Sequence, residues 1–266
     1  MQPIQSESVS VRFAASSPRG EPGSQGYSRV GGRTVAGMIA AFLNPEGTLL
    51  HAGSDELDRV ASGLSSLLRA AELIPVTALD EEALLNVPAA FTSWQVLLHG
   101  AVLLDPDGAE DPAWRRLTVE TLDAAQGALE LAAQAAGHVS ALAQLDLDLT
   151  RTERHGRLLR VELRHPYGLP RPLDQAERDL RDWLADGPLR DTLRLERTPD
   201  ALRLLPRDLR PELAVNYLLS QLDAEFTLGV SALPGDAAFL ALCDYAMVPG
   251  SADLLEPVPA RRDDEE

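Results

Sequence analysis

The chain has 266 residues with 24 basic and 41 acidic side chains, and its formal net charge is −17. So acidic a protein repels phosphate backbones, and we therefore expect no nucleic-acid partner. All the basic residues are arginines, which excludes any chemistry that depends on a lysine. The single cysteine, Cys243, excludes an intrachain disulfide and a cysteine-rich zinc site.

The two ends of the chain differ in composition from the rest. Residues 1–37 are rich in Ser, Gly, Gln and Pro, which predicts a flexible N-terminal arm. Residues 257–266 end in a run of acids, which predicts a solvated tail. There is no apolar run of membrane-spanning length and no signal-peptide pattern. We therefore expect a cytoplasmic protein with no membrane partner.

The ordered part begins with a short apolar run at residues 38–43, which predicts a buried strand. A helix capped by Ser54 follows, and then a second strand at residues 73–77. Asp80 caps a brief helix, and residues 95–98 form a third apolar run. This alternation of strand and helix predicts a parallel α/β sheet.

The middle of the chain changes to a different pattern. A helix, a hairpin, a second helix and a second hairpin are predicted at residues 112–136, 144–164, 173–185 and 192–205. After Pro206 the first pattern returns, with a helix from Pro211 and strands at residues 226–230 and 245–248. We therefore predict a core made of residues 38–105 and 206–256, and an inserted α+β domain at residues 106–205.

Four stretches of the predicted core carry a family resemblance. They are FLNPEGTLL, LIPVT, LPRDLRPELAVNYLL and TLGVSALPGDAAFLALCDYAMVP, and LLHGAVLLDPDG lies where the insertion begins. Their order and spacing resemble the haloacid dehalogenase (HAD) superfamily of phosphotransferases, in particular its large-cap sugar-phosphate phosphatases. The resemblance implies a HAD-like Rossmannoid core with a mainly parallel sheet and an αββαββ cap.

The resemblance also implies a role for each position of the first two motifs. In the family, a carboxylate after the first strand attacks phosphorus, and a second acid protonates the leaving oxygen. Here Asn44 stands at the nucleophile position and Glu46 at the acid position. Gly47 and Thr48 match the family's turn, and Thr77 matches the hydroxyl that binds phosphate.

The other two motifs supply a cation and metal ligands in the family. The motif lysine is missing, and Arg210 is the nearest substitute by sequence. Asp236 matches the second metal-binding acid, whereas Ala232 replaces the first. Magnesium is the cofactor that the resemblance implies. The loss of carboxylates at Asn44 and Ala232 predicts that it binds weakly or not at all, through Asp236 and Glu46.

Simpler interpretations of the same residues stay open. Asn44 is equally well explained as a residue that turns the loop. Thr77 is nearly as well explained as a threonine at a strand end with no role in phosphate binding. For Asp236, the preferred interpretation is the N-cap of the following helix. A different nucleophile, such as one of the pair Asp105 and Asp107, is the least favoured, because that pair comes in the wrong order along the chain.

Three functional hypotheses follow from these residues. The preferred one is a catalytically impaired phosphatase fold, a pseudoenzyme, with a ligand-binding or regulatory role. The first alternative is an active magnesium-dependent hydrolase that acts on a phosphorylated small molecule such as a sugar phosphate. The second is a module that binds a protein partner.

Overall fold

The structure is a computed structural model that describes residues 12–15, 38–50, 68 and 71–248, with only the backbone for residues 12–15. The predicted helix capped by Ser54, the acidic tail and the rest of the N-terminal segment lie outside the described residues. The chain divides into two compact units. The core unit runs up to Ala109 and resumes at Pro211, and the inserted unit is Glu110–Arg210.

The regular elements of the described residues, in chain order, are the following. They are β1 (Arg12–Ala15), β2 (Met38–Leu43), β3 (Ala71–Pro75), α1 (Glu81–Leu84), β4 (Gln95–Leu97), a 3₁₀ turn (Leu98–Gly100), β5 (Val102–Leu104), α2 (Pro112–Leu142), β6 (Asp148–Arg154), β7 (Arg157–Arg164), α3 (Pro170–Asp186), β8 (Leu193–Arg197), β9 (Ala201–Pro206), α4 (Pro211–Leu219), β10 (Ala224–Val230), a 3₁₀ turn (Pro234–Asp236), α5 (Ala237–Leu240) and β11 (Tyr245–Val248).

The described residues of the core unit include a five-stranded sheet in the order β1-β11-β10-β2-β3. The pairs β11–β10, β10–β2 and β2–β3 are parallel, and β1 is antiparallel to β11. The strand β2, which lies between β10 and β3, has the sequence MIAAFL and is buried along its last four residues. Such a continuous apolar run suits a strand that is covered on both faces. The parallel strands therefore end together at one edge of the sheet.

One strand of the predicted parallel sheet has a different partner. Residues 95–98 were predicted to lie in the main sheet, but β4 pairs antiparallel with β5 in a separate two-stranded ribbon. A single parallel bridge, between Val76 and Val96, connects this ribbon to the segment after β3. The chain reverses because Leu98 and His99 both adopt positive φ, 51° and 59°. The apolar pattern of residues 95–98 does not predict this reversal of the chain.

Four residues of the segment that was predicted to be a flexible arm form a strand. These residues, Arg12–Ala15, form β1, which pairs with β11 over four residues, from Arg12 opposite Val248 to Ala15 opposite Tyr245. The pairing satisfies the edge of β11, which the parallel strands leave open. The low apolar content of the surrounding residues hides this strand in the sequence.

The inserted unit has two helices, α2 and α3, and a four-stranded antiparallel sheet in the order β6-β7-β9-β8. The helix α2 begins where the Asp111 carboxylate accepts a hydrogen bond from the Trp114 N–H and Pro112 fills the first turn. Apolar residues of both helices and of the sheet form one buried cluster, which includes Leu129, Leu163 and Leu180. This arrangement is the αββαββ order predicted from the sequence.

Within the part of the chain that the structure describes, the helices are all too short or too polar to cross a membrane.

Candidate functional site

The candidate site lies in the core unit, where three neighbouring strands end. Asn44 follows β2 directly, and its N–H donates to the Val230 carbonyl at the end of β10 at 2.9 Å. The Val76 N–H donates to the Leu43 carbonyl at 2.9 Å, which aligns the segment after β3 with the end of β2. Open α/β sheets place ligands at this carboxyl edge. The backbone thus brings the first, second and fourth motifs to one place.

The loop after β2 is held in shape by its own side chains. The Oδ1 atom of Asn44 accepts a hydrogen bond from the Glu46 N–H at 2.9 Å, which is the geometry of an Asx turn. The Thr48 hydroxyl donates to the Asn44 carbonyl. Gly47 has a φ of +76°, which glycine adopts readily and other residues rarely do. The turn predicted for Asn44, Gly47 and Thr48 is therefore present.

Gly47 also lies close to the loop that follows β10. A Cβ atom placed on Gly47 would be 3.0 Å from the Cβ of Ala232. That distance is shorter than ordinary van der Waals contact, so the loops after β2 and β10 pack tightly at this point. Ala232 itself is 8% exposed. The position where the family has its first motif-four acid is consequently filled by a methyl group against the glycine backbone.

The Asn44 side chain connects the first and fourth motifs. Its Nδ2 donates to Oδ2 of Asp236 at 2.6 Å, and the Ser231 hydroxyl donates to the same oxygen at 2.6 Å. The Ser231 Oγ in turn accepts from the Leu233 N–H at 3.0 Å. Because a carboxylate accepts hydrogen bonds, the amide turns its nitrogen toward Asp236 and its oxygen toward Glu46. Both ends of the Asn44 amide are therefore used.

The role preferred for Asp236 in the sequence analysis is wrong. Asp236 stands at the N-terminal end of α5, but its side chain makes no capping hydrogen bond to that helix. Its carboxylate accepts from Asn44 and Ser231 instead. The two side-chain donors lie directly after β2 and β10 and draw the carboxylate away from the helix end. Asp236 is thus a member of the site.

Glu46 connects the first motif to the second. Its Oε2 accepts from the Thr77 hydroxyl at 3.2 Å and from the Ala78 N–H at 3.3 Å. The Thr77 hydroxyl also accepts from the Leu79 N–H at 3.1 Å. The hydroxyl thus accepts one hydrogen bond and donates its hydrogen to Glu46. Thr77 is 3% exposed, so this geometry is fixed by its surroundings.

The donor set of this site does not fit magnesium. A hard dication needs several oxygen ligands, preferably anionic. Here the Asn44 group that faces the Asp236 carboxylate is an NH₂, which cannot coordinate a cation. Ala232 adds no ligand. Across residues 38–50, 68 and 71–248, groups of three or more His, Cys, Asp or Glu that could hold a metal are absent.

Arg210, the predicted substitute for the motif lysine, belongs to the inserted unit. It is exposed, and its Nε donates to the Arg207 carbonyl at 2.9 Å. Its proposed role in phosphate binding stays a prediction. The structure brings Asn44, Glu46, Thr77 and Asp236 together from the core unit alone.

Two groups of the site were missed by the sequence analysis. Ser231 is not among the site residues expected from the sequence, and it lacks the glycine-flanked motif that marks a nucleophilic serine. Its position directly after β10 is a signal that could have placed it beside Asp236. The Ala78 N–H belongs to the backbone, so the residue type at position 78 gives no indication that this group donates to Glu46.

Chemically, the site is a set of donors and acceptors that satisfy one another. Two carboxylates, those of Glu46 and Asp236, each accept at least two hydrogen bonds. The group at the nucleophile position is a neutral amide, whose oxygen is a poor nucleophile at phosphorus. The arrangement can hold a ligand by hydrogen bonds, and it lacks an anionic nucleophile at residue 44.

Comparison with solved structures identifies the fold. The chain is similar to the IMP-nucleotidase of Plasmodium falciparum, with a TM-score of 0.51 and 14% identity over 73% of this chain and 58% of that one. It also matches the sucrose-phosphatase of Synechocystis, solved with sucrose and phosphate, with a TM-score of 0.45 and 16% identity over 76% and 77% of the two chains. A haloacid dehalogenase-like hydrolase from Bacteroides thetaiotaomicron matches with a TM-score of 0.47 and 11% identity over 76% and 84%.

These structural neighbours are HAD-superfamily phosphatases at low sequence identity. The predicted resemblance and the α/β fold class, a mainly parallel sheet with an additional antiparallel sheet, are confirmed. No protein-family model matches the sequence, and a search of curated proteins also finds no match. At sequence identities this low, the comparison shows the fold but not the activity.

Proposed function

We propose that this protein is a catalytically impaired member of the phosphatase fold, whose site has a ligand-binding or regulatory role. The observation that carries the proposal is the hydrogen bond from Asn44 Nδ2 to Asp236 Oδ2 at 2.6 Å. An active site of this fold uses a carboxylate nucleophile, and here the corresponding side chain is neutral and is held to its neighbour by its own NH₂ group.

The surrounding contacts support the same proposal. Glu46, at the position of the general acid, accepts two hydrogen bonds from the second motif, and so its carboxylate is already engaged. Ala232 fills the position of one metal ligand with a buried methyl group. Covalent phosphoryl transfer needs the nucleophile, the acid and the metal together, and each of these three positions is altered.

The ligand class that we propose is a phosphorylated small molecule. Phosphatase-fold structures similar to this chain include proteins named for such substrates, sucrose phosphate and IMP. The Thr77 hydroxyl and the neighbouring backbone N–H are donors of the type that binds phosphate oxygens. We further propose that the protein acts in the cytoplasm, where such metabolites are found.

The test is magnesium-dependent hydrolysis of p-nitrophenyl phosphate and of common sugar phosphates by the full chain. We expect turnover no greater than that of Asn44→Ala and Asp236→Ala, because none of the three supplies an anionic nucleophile at residue 44. Robust turnover by the wild type that is lost in both variants would overturn the proposal and favour the active phosphatase. The double variant Asn44→Asp with Ala232→Asp, which returns both family carboxylates, serves as the positive comparison.

A further inference from the structure

We propose that Glu46 autoinhibits the site: its carboxylate occupies an oxyanion subsite formed by the Thr77 hydroxyl and the Ala78 N–H. An external tetrahedral oxyanion would bind there only when Glu46 leaves. This inference rests on the ligand-binding role proposed above, and it adds both the chemistry of the ligand and the group that competes with it.

The geometry of the subsite is that of two donors converging on one atom. The Thr77 hydroxyl and the Ala78 N–H approach the same oxygen, Oε2 of Glu46, at 3.2 Å and 3.3 Å. The Leu79 N–H donates to the Thr77 Oγ1 at 3.1 Å, which leaves the hydroxyl hydrogen to point at the carboxylate. The donor pair is therefore organised around a negatively charged oxygen that the chain itself supplies.

Both hydrogen bonds are long for bonds to an anion. Hydrogen bonds to a carboxylate are commonly about 2.7–2.9 Å, and shorter bonds are stronger. Glu46 is also only half-buried, so its carboxylate can exchange these donors for water. A free oxyanion, which is not tied to the turn, can approach the same donors more closely. The internal carboxylate is consequently a weak occupant that a ligand can displace.

The loop after β2 explains why Glu46 reaches the subsite. The Asx turn at Asn44 fixes the Glu46 N–H, and Gly47 at positive φ turns the chain immediately afterwards. From this fixed backbone, the Glu46 side chain spans to Thr77, which is 31 residues away in sequence. Aspartate at position 46 is shorter by one methylene and would withdraw its carboxylate from the donors.

The experiment is calorimetric titration of tungstate, and separately of inorganic phosphate, into the full chain without magnesium. The variants are Glu46→Ala, Glu46→Asp and the double variant Glu46→Ala with Thr77→Val. Glu82→Ala is the matched control, because it removes one exposed carboxylate from the neighbouring helix α1. Circular dichroism verifies that each variant is folded.

We expect Glu46→Ala and Glu46→Asp to bind tungstate at least about tenfold more tightly than the wild type, or ~1.4 kcal/mol. The gain should be lost when Thr77→Val is added, and Glu82→Ala should bind as the wild type does. If Glu46→Ala does not fold, Glu46→Asp decides the question alone.

Three results would overturn the inference. They are unchanged binding in both Glu46 variants, an equal gain in Glu82→Ala, and a gain that survives Thr77→Val. Hydrolysis of p-nitrophenyl phosphate is measured on the same samples. Turnover by the wild type contradicts the proposed function, whereas the binding results alone decide the role of Glu46, so the two failures are distinguishable.

Discussion

Asn44 and Asp236 are 192 residues apart in sequence, and the amide nitrogen of one donates to a carboxylate oxygen of the other at 2.6 Å. This bond joins the loop after β2 directly to the loop after β10. The NH₂ group contributes a partial positive charge at the point where two carboxylates would otherwise face each other. The pairing therefore holds the loops after β2 and β10 together through their own side chains.

Asn44→Asp should make the stability of the protein depend on a divalent cation. The new carboxylate would face Asp236 at hydrogen-bond distance, and the lost bond and the like charge should together cost about 1–3 kcal/mol at pH 7. Magnesium binds the folded state of such a pair and should raise the melting temperature of this variant. The measurement is thermal unfolding with and without about 10 mM magnesium, a concentration chosen to saturate a weak site.

Asn44→Ala is the control for this prediction. It removes the same hydrogen bond but adds no charge, so its melting temperature should fall without responding to magnesium. An Asn44→Asp variant that is as stable as the wild type and indifferent to magnesium would show that the two side chains are not in contact.

Gly47→Ala should destabilise the core unit for two reasons that can be separated. The positive φ of 76° strains any residue with a Cβ, and that Cβ would also come within 3.0 Å of Ala232. Gly108 has a similar φ of 79°, but a Cβ there meets nothing within 4 Å. Urea unfolding should show a loss of about 1 kcal/mol for Gly108→Ala and roughly 2–3 kcal/mol for Gly47→Ala. Equal losses would mean that the contact with Ala232 has no energetic weight.

Glu162 should give the inserted unit an acid-sensitive stability. Burial by itself raises the pKa of its carboxyl, but hydrogen bonds from Arg164 and Arg203 outweigh burial and lower that pKa from 4.5 to about 2. A carboxyl whose pKa is lower in the folded state than in the unfolded state stabilises the protein at pH values above the pKa of that carboxyl in the unfolded state. That contribution is lost as the pH falls from 4.5 to 2.

The variant Glu162→Gln should accordingly flatten the stability profile between pH 4.5 and 2. It should also be less stable at pH 7, because Arg203, at 8% side-chain exposure, would lose its buried partner. Glu153→Gln on the edge strand β6 is an exposed control that should leave the profile unchanged. A Glu162→Gln profile that keeps the wild-type slope would contradict the pairing with Arg203 and Arg164.

Removal of β1 should lower stability and promote self-association. Deletion of residues 1–15 leaves the backbone of β11 unpaired along one edge, and unpaired edges recruit other strands. Deletion of residues 1–11 is the matched control, because it keeps Arg12–Ala15. The longer deletion should lower the melting temperature by about 2–4 °C relative to the shorter one and shift it to larger species in size-exclusion chromatography. Identical behaviour of the two deletions would contradict the pairing.

The sequence predicts the positions of the site residues better than their contacts. Strand order places Asn44, Thr77 and Ala232 at one sheet edge, because parallel strands end together. Which side chain bonds to which depends on distances of a few tenths of an ångström, and these are set by packing. The interpretation of Asp236 as a helix cap failed for this reason: a cap is a local pattern, whereas one of the two donors to Asp236, Asn44, is 192 residues away in sequence.

The same limit applies to the elements that were misplaced. The reversal at Leu98 and His99 needs positive φ at two residues that are not glycine, and propensities disfavour that conformation. The strand β1 contains four residues in a segment of low apolar content, so it is defined by its partner β11 rather than by its own sequence. Both features depend on tertiary structure that a local reading does not contain.

The discontinuity of the core unit has a consequence for synthesis on the ribosome. The strand β2 pairs with β10, and the whole inserted unit Glu110–Arg210 is translated between them. All pairings of the inserted sheet lie within residues 148–206, so this unit can fold while the core sheet still lacks its central neighbour. In this interval β2 can pair with β3, but its other edge stays unpaired until β10 emerges, and an unpaired strand edge is prone to aggregation.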